Sequence, residues 1–367
     1  ALATQLGYET FSHNQIESSA SMEQDFKFLL PGLKARILFS FDRYSGNGVQ
    51  RSKSPDYYNP AVGRKEDGSL DLVIYRYGQL FLGHSTTAEW GNKSTYLEGS
   101  LNYDQIFDEK HAIGLMFLYN QRSFEDGSAL PYRNQGIAAR ASYTFNNKYV
   151  GEFNFGYNGS ENFAKGHRFG FFPSVAVGWV LSEESFMEPY RKTFSKIKLR
   201  ASYGLVGNDQ LGQNRGDYRF AYLTTIGDTG GYNWGVDNDY GRAGRWEGQV
   251  GVQNLTWEKV KKANIGLELG LWNSIELQVD GFKDHRYDIF MQRRTIPASA
   301  GFIQTPFANY GKVDNRGIDI ALTANKQVTK DFQTAVRGTF TYAKNEITEQ
   351  DEPLGVIGTN RARTGHP

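Results

Sequence analysis

The chain of 367 residues carries 41 basic and 40 acidic side chains, a net charge of +1, which argues against a nucleic-acid partner and a polybasic membrane contact. It contains no cysteine, which excludes disulfides, thiolate metal sites and a cysteine nucleophile. No apolar run approaches the roughly 20 residues of a membrane helix, but transmembrane β-barrels also look polar on average, because lipid-facing and lumen-facing residues alternate.

Alternating apolar residues predict six consecutive β-hairpins, and a parity rule tests each one. Opposite residues of an antiparallel hairpin share a face, so a turn of odd length keeps the position parity of the apolar residues and an even turn switches it. The first predicted turn is Pro31-Gly32, and the apolar positions switch from even, between Phe26 and Leu30, to odd, between Ala35 and Phe41. The residues before this hairpin are predicted to form an external loop.

The next five predicted hairpins follow the same rule and keep parity wherever a short turn joins them. Their strands are 97–107 with 113–119, 137–145 with 149–157, 169–181 with 197–205, 265–271 with 275–279, and 318–322 with 332–342. Their connections are Asp108–Lys110, Asn146–Lys148, the longer segment 182–195, Trp272–Ser274 and Lys326–Lys330. Helical periodicity is nearly absent, so the chain is predicted to be all-β.

The lengths of the connections predict the architecture. Connections between hairpins are long, namely 42–94, 120–136, 158–168, 205–263 and 283–316. Long loops at one end, short turns at the other and strands of about 9–12 residues are typical of outer-membrane barrels. We therefore predict an antiparallel up-and-down transmembrane β-barrel. The alternative is a soluble β-sandwich, against which aromatic residues at strand ends, such as Tyr103 and Tyr149, also argue.

The two faces of the predicted strands have different roles. Leu267, Val279 and Phe340 should face lipid. The positions between such residues should line the interior, and the charged ones among them are Arg140, Glu152, Lys198, Arg200, Glu268, Glu276, Asp280 and Arg337.

Candidate functional residues lie in the longest predicted loop. Tyr232, Trp234, Tyr240 and Trp246 stand among Gly and Asp residues, which suits contact with sugar faces or peptide side chains. The alternative is that these rings pack the loop against its neighbours or a partner subunit. Trp257 is interpreted as a structural residue.

Motifs for other chemistry are missing from the sequence. It has no HExxH, P-loop, GxSxG or EF-hand spacing, so we predict no catalytic residue, no metal and no cofactor. Asp237 and Asp239 in "GVDNDYG" leave calcium open, although a polar loop tip is favoured.

Several segments together resemble the SusC/RagA family of TonB-dependent outer-membrane transporters. They are "LPGLKAR", "YLEGSLNYDQIF", "NKYVGEFNFGYNGSENF", "HRFGFFPSVAVGWVLSEESFM", "KLRASYGLVGNDQ", "LTWEKVKKANIGLELGL" and "VDNRGIDIAL". They occur in the family's order across most of positions 23–345, and the run from Asn147 to Met187 is the most specific.

The resemblance implies a 22-stranded barrel of which residues 1–367 supply about 12 strands of one domain. A signal peptide, a carboxypeptidase-like N-terminal domain, a TonB box, a plug and the last strands are expected outside this segment. The implied function is TonB-dependent import of glycans or oligopeptides across the outer membrane of a Bacteroidota-type bacterium. The implied partners are a SusD-like lipoprotein, the TonB complex and outer-membrane lipid, with a dimer of SusC–SusD pairs as the expected assembly. The rival functions are a siderophore receptor, a porin and a soluble carbohydrate-binding protein.

Overall fold

Twelve antiparallel strands follow one another in chain order in a single sheet in the part of the chain that the structure describes. The structure is a computed structural model and describes residues 6–128, 130–213 and 217–367, without the side chains of 87–89 and 328. The strands of this sheet are β1 Gly7–Asp25, β2 Leu33–Ser52, β5 Gly83–Phe107, β6 His111–Glu125, β7 Tyr132–Phe145, β8 Tyr149–Ser160, β9 Phe169–Val180, β10 Phe194–Asn208, β13 Glu258–Leu271, β14 Ile275–Gln292, β15 Phe307–Thr329 and β16 Phe332–Glu349. This meandering order confirms the predicted all-β, up-and-down fold.

Two smaller hairpins lie in the loops. They are β3 Tyr57–Tyr58 with β4 Ile74–Arg76, and β11 Ile226–Trp234 with β12 Tyr240–Glu247. Short 3-10 helices occupy Leu181–Glu183, Ser185–Tyr190 and Ala298–Ala300. Among the described residues, no helix combines the length and the hydropathy needed to cross a membrane.

Three of the predicted turns are correct to the residue. Asp108–Lys110, Asn146–Lys148 and Trp272–Ser274 each separate two strands. In all three, the first two turn residues adopt positive φ, for example 50° and 57° at Asn146 and Asn147. This left-handed conformation reverses the chain within three residues, and Asn and Asp tolerate it better than most other residues.

The first strand of the first hairpin was placed wrongly along the chain, whereas its second strand, Ala35–Phe41, lies within β2. Residues 7–25, predicted as a loop, form β1, and Phe28 and Leu30, predicted in a strand, lie in the turn. The Asp25 carboxylate accepts a hydrogen bond from Lys27 N (2.8 Å) and thereby ends the strand. Phe26 N donates to Leu33 O, and Lys53 N donates to Leu6 O (both 2.9 Å), so the predicted switch in parity holds. β1 escaped detection because its apolar residues are sparse: Tyr8, Ile16, Ala20 and Met22 share a face with Thr10, Ser12, Asn14 and Ser18.

Strands are longer, and loops shorter, than the apolar pattern predicts. The loop predicted at 120–136 shrinks to 126–131, and the one predicted at 283–316 shrinks to 293–306. The five-residue turn predicted at Lys326–Lys330 is replaced by Lys330-Asp331, with a register irregularity between Gln327 and Thr329. The strand ends continue the backbone ladder after apolar alternation has stopped, so the side-chain pattern locates the apolar belt and not the strand ends.

The predicted lipid-facing residues lie on one face of the sheet. Cross-strand pairing joins Leu199, Leu267, Val279, Ile320 and Phe340 into one row. All are half-buried or exposed, and Phe340 is 60% exposed. In the described part of the chain no second protein layer covers this row, which contradicts the sandwich alternative and agrees with a face turned toward hydrocarbon.

The height of the apolar face fits a membrane. On β9 the outward positions are Phe169, Phe171, Pro173, Val175, Val177 and Trp179. Ten residue steps of about 3.3 Å along a strand tilted by about 40° rise roughly 25 Å, the height of the apolar band of outer-membrane barrels. The aromatic residues at both ends suit the two membrane interfaces.

The chain divides into two compact units. The first comprises Ala1–Ser21, Leu38–Leu97 and Arg122–Arg133, and the second comprises the remaining ranges, most of them in Asn134–Pro367. The first unit contains an aromatic pair, Tyr44 and Trp90, with ring centroids 4.9 Å apart. Gly46 lies against Trp90, and a Cβ at this position would meet the indole ring at 2.9 Å, so the glycine makes room for the tryptophan.

Candidate substrate-contact hairpin

The four aromatic residues singled out from the sequence lie together on the β11–β12 hairpin. Register pairs Trp234 with Tyr240, Tyr232 with Arg242, and Gly227 with Trp246. Between Thr229 and Tyr232, β11 has one residue more than β12, a bulge, while β12 alternates without interruption. Tyr240, Arg242 and Trp246 therefore share one face, and Tyr232 and Trp234 lie on it opposite Arg242 and Tyr240. We call Tyr232, Trp234, Tyr240, Arg242 and Trp246 the aromatic face.

The aromatic face is open to solvent in the described structure. Its exposed fractions are 67% for Tyr232, 58% for Trp234, 52% for Tyr240 and 42% for Trp246. The Tyr232 and Trp234 rings lie 4.9 Å apart, and the Arg242 guanidinium lies 4.4 Å from the Tyr240 ring centroid. Half or more of three of these four side chains is therefore left uncovered by the described part of the chain.

Arg242 was missed from the sequence, although the strand period could have found it. It stands two residues after Tyr240 and four before Trp246, at the same parity. A guanidinium beside aromatic rings adds hydrogen-bond donors to an apolar platform. This combination can hold the apolar face of a sugar ring, or a peptide side chain, while binding a neighbouring oxygen atom.

A small apolar core anchors the long loop that carries this hairpin. Its buried members are Phe163, Leu211, Ala221, Leu255 and Trp257. Phe163 and Leu255 are fully buried, and the Trp257 indole N–H donates to the Arg168 carbonyl (3.2 Å). The structural interpretation of Trp257 is therefore supported. The core fixes both ends of segment 209–257, since Leu211 lies near its start and Leu255 near its end.

The two aspartates of the hairpin tip lie in a tight turn. Asp237 and Asp239 flank Asn238, which has a φ of 52°, and follow Gly235 at 97°. Within the described residues, no three His, Asp or Glu side chains converge in a way that could hold a metal ion. The geometry is that of a polar turn.

The inward face of the sheet carries a network of ion pairs. One Arg200 nitrogen donates to both carboxylate oxygens of Asp280 (2.9 and 2.7 Å), and Glu268 lies 2.6 Å from Lys196 and 3.5 Å from Arg200. The pair Arg200–Asp280 crosses β13 at Gly266, where a Cβ would come within 2.6 Å of both side chains. Glycine at this position is therefore required by the pair that passes over it.

The other predicted inward residues are placed on this face by register. Arg140 pairs with Glu152 at 2.5 Å, and Lys198 lies 3.9 Å from Glu268. Glu276 pairs across the sheet with Thr323, which itself pairs with Arg337. The alternation along each strand thus assigned these side chains correctly, although it did not reveal which of them bind each other.

A carboxylate at the short-turn end of the sheet has three donors that the sequence did not reveal. Glu184 lies between the two 3-10 helices that follow β9. Its oxygens accept hydrogen bonds from the hydroxyl of Tyr149 (2.7 Å), the ammonium of Lys148 (2.9 Å) and the indole of Trp179 (3.1 Å). These three donors, led by Tyr149, lower the pKa of Glu184 from 4.5 to about 2. The cluster joins β8, β9 and their connecting segment.

Replacing Glu184 with glutamine should lower stability at neutral pH, and this loss should disappear in acid. A pKa lowered by folding gives stabilisation that is complete above the unfolded value of 4.5 and is lost as the pH falls through about 2. The measurement is the unfolding midpoint of wild-type and variant protein between pH 7 and pH 2. A difference that stayed constant over this range would show that the carboxylate charge plays no part.

Comparison with known proteins identifies the family. Residues 3–366 match the family model described as "TonB dependent receptor-like, beta-barrel". The chain belongs to this family. The TonB-dependent receptor SusC of Bacteroides thetaiotaomicron is 30% identical over 218 residues, which cover 57% of this chain and 20% of SusC. The TonB-dependent receptor P26 of Formosa agariphila is 28% identical over 333 residues, 82% of this chain and 32% of that protein.

The structural comparison agrees on the fold. A structure of the RagAB peptide transporter matches with a TM-score of 0.70 and 19% identity, over 98% of this chain and 40% of that one. The predicted SusC/RagA relationship and partial-barrel fold are confirmed, and the porin and soluble-protein alternatives are set aside. The chain thus spans 20% of the length of SusC, 32% of P26 and 40% of the RagAB chain.

Proposed function

We propose that the segment belongs to an outer-membrane transporter that imports oligosaccharides or oligopeptides with energy delivered through TonB. The family match over residues 3–366 carries the transport part of the proposal. The SusC relationship supports nutrient import, and the peptide transporter named in the structural comparison supports peptide as an alternative cargo to glycan. A SusD-like surface lipoprotein is the proposed partner that captures substrate above the long loops.

The aromatic face is the proposed contact for the substrate. Its rings are exposed on the longest loop, and the core around Trp257 holds the base of that loop in place. Flat apolar surface beside a guanidinium can bind cargo that combines apolar and polar groups, as sugars and peptides both do. The same hairpin carries the matched control: Arg245, which pairs with Asp228 at 2.7 Å, stands at the opposite parity and faces the other side.

Trp234→Ala with Trp246→Ala should weaken substrate binding by roughly tenfold or more, because a buried aromatic contact is commonly worth more than 1 kcal/mol at a binding surface. The experiment measures uptake and equilibrium binding of size-defined oligosaccharides and oligopeptides by cells that carry the intact transporter. The Arg245→Ala variant should behave like wild type.

The two parts of the proposal have separate outcomes. Loss of uptake on deletion of the transporter, without any effect of the two tryptophan substitutions, would keep the transport function and remove the aromatic face from it. Unchanged uptake of every oligosaccharide and peptide on deletion would contradict the transport function itself.

A further inference from the structure

Three basic side chains lie next to one another on the outward face of the last three strands. Register pairs Lys283 of β14 with Arg316 of β15, and Arg316 with Lys344 of β16. All three are exposed, and none has an ion pair or a side-chain hydrogen bond to another residue that the structure describes. We call these residues the cation row. Like charges directly opposite across strands are destabilising, so the row costs stability unless an anion binds it.

On the inward face of β13 and β14, cations are paired with carboxylates. There Lys262 pairs with Asp284 at 3.0 Å, and Arg286 pairs with Glu258 at 2.9 Å. These cations have carboxylates opposite them, whereas no acidic residue stands between the members of the cation row. These two inward cations are therefore neutralised within the protein, whereas the outward cation row is left for another molecule.

The acidic and titratable neighbours of the cation row lie at the next outward-facing positions, two residues further along each strand toward the long loops. Register places Lys261, His285, Asp314 and Glu346 side by side there. The Asp314 carboxylate is held by the His285 ring nitrogen at 2.5 Å. Glu346 is thus the remaining carboxylate near the row. Its single negative charge stands against the three positive charges of the cation row.

An apolar groove begins at the cation row on the side of the short turns. It has a volume of about 710 Å³, and Ile265, Ile318 and Tyr342 line it together with the three cations. The exposed fractions are 70% for Ile265, 46% for Ile318 and 59% for Tyr342. The groove forms part of the lipid-facing belt, since Ile318 and Tyr342 lie on the same face as Ile320 and Phe340, two residues further along each strand. The cations therefore stand at the margin of the belt nearer the long loops.

We propose that the cation row and this groove bind a phosphorylated lipid of the outer leaflet, of the lipid A type. Its phosphate contacts Lys283, Arg316 and Lys344, and an acyl chain lies along Ile265, Ile318 and Tyr342. Arginine offers forked donors and lysine a point charge, and both bind phosphate. A free anion would leave the adjoining apolar groove empty, whereas a lipid fills both parts. The inference rests on the membrane placement given by the proposed function.

The test uses the intact transporter extracted from outer membrane into mild detergent, with the triple variant Lys283→Gln, Arg316→Gln and Lys344→Gln. The probes are monophosphorylated lipid A, the same lipid without phosphate, and inorganic phosphate, each measured by native mass spectrometry. The variant should bind the phosphorylated lipid on the order of 100-fold more weakly, from the usual contribution of three cations facing an anionic lipid. Wild type should prefer the phosphorylated lipid and should not retain inorganic phosphate.

A charge-matched control separates local from general electrostatics. The control variant carries Lys192→Gln, Lys326→Gln and Lys330→Gln, which remove three cations from the short-turn side of the sheet. It should bind lipid like wild type. Equal loss in both triple variants, no loss in the first, or equal binding of both lipids would overturn the proposal. Retention of the heat-resistant folded band on electrophoresis checks folding. Uptake by the same cells checks the transport function separately, so a failed lipid test leaves that function standing.

Discussion

Asp280→Ala should lower the free energy of unfolding by about 3 kcal/mol, because removing one partner of a buried pair leaves the other charge without compensation. Asp280 is 7% exposed and accepts hydrogen bonds from both Arg200 and Gln278. The loss should lie at the lower end of the range for buried pairs, since Arg200 is one-third exposed and keeps Glu268 at 3.5 Å. Denaturant unfolding of the protein in lipid vesicles, followed by tryptophan fluorescence, measures it.

Asp319 supplies the control for the Asp280 prediction. It lies directly opposite Asp280 on β15, on the same face, and makes no ion pair within the described residues. Asp319→Ala should therefore leave stability unchanged or raise it slightly, because it removes a like charge that faces Asp280 across the strands. A double-mutant cycle of Arg200→Ala and Asp280→Ala should give a coupling energy that accounts for most of the loss. Equal losses at Asp280 and Asp319 would mean that the ion pair does not stabilise the sheet.

Leu267→Arg is the second substitution with a large expected effect. Leu267 is central in the outward row, between Leu199 and Val279, so the new guanidinium would point into hydrocarbon. A charge at this depth costs about 2–4 kcal/mol in a membrane β-barrel. The expected result is a marked fall in the amount of folded protein in the outer membrane, measured by membrane fractionation and heat-modified electrophoresis.

Gln278→Arg is the matched control for the lipid-facing charge. Gln278 lies on the neighbouring strand directly opposite Glu268, and therefore on the inward face. The added guanidinium would meet the Glu268 carboxylate and a polar environment, so the amount in the membrane should stay near that of wild type. If both variants accumulated equally, the assignment of the two faces would be wrong.

The amino-acid sequence by itself determined the apolar belt, the assignment of its faces and three turns to the residue. The reason is local: in a strand with one face in lipid, period-two alternation is imposed on every segment. The same pattern placed Leu267 and Glu268 on opposite faces. It could not reveal β1, where polar residues interrupt the apolar face, or the strand ends beyond the belt, because backbone pairing in water requires no apolar alternation.

Only the tertiary structure decided which side chains meet. Arg200 and Asp280 are 80 residues apart in the chain and pair across a strand that has glycine between them. Lys283, Arg316 and Lys344 form a row only when three strands adopt one register, and Glu184 finds its donors only when β8 and β9 are paired. Contacts of this kind depend on cross-strand register, which turn geometry and packing fix jointly and which no single segment contains.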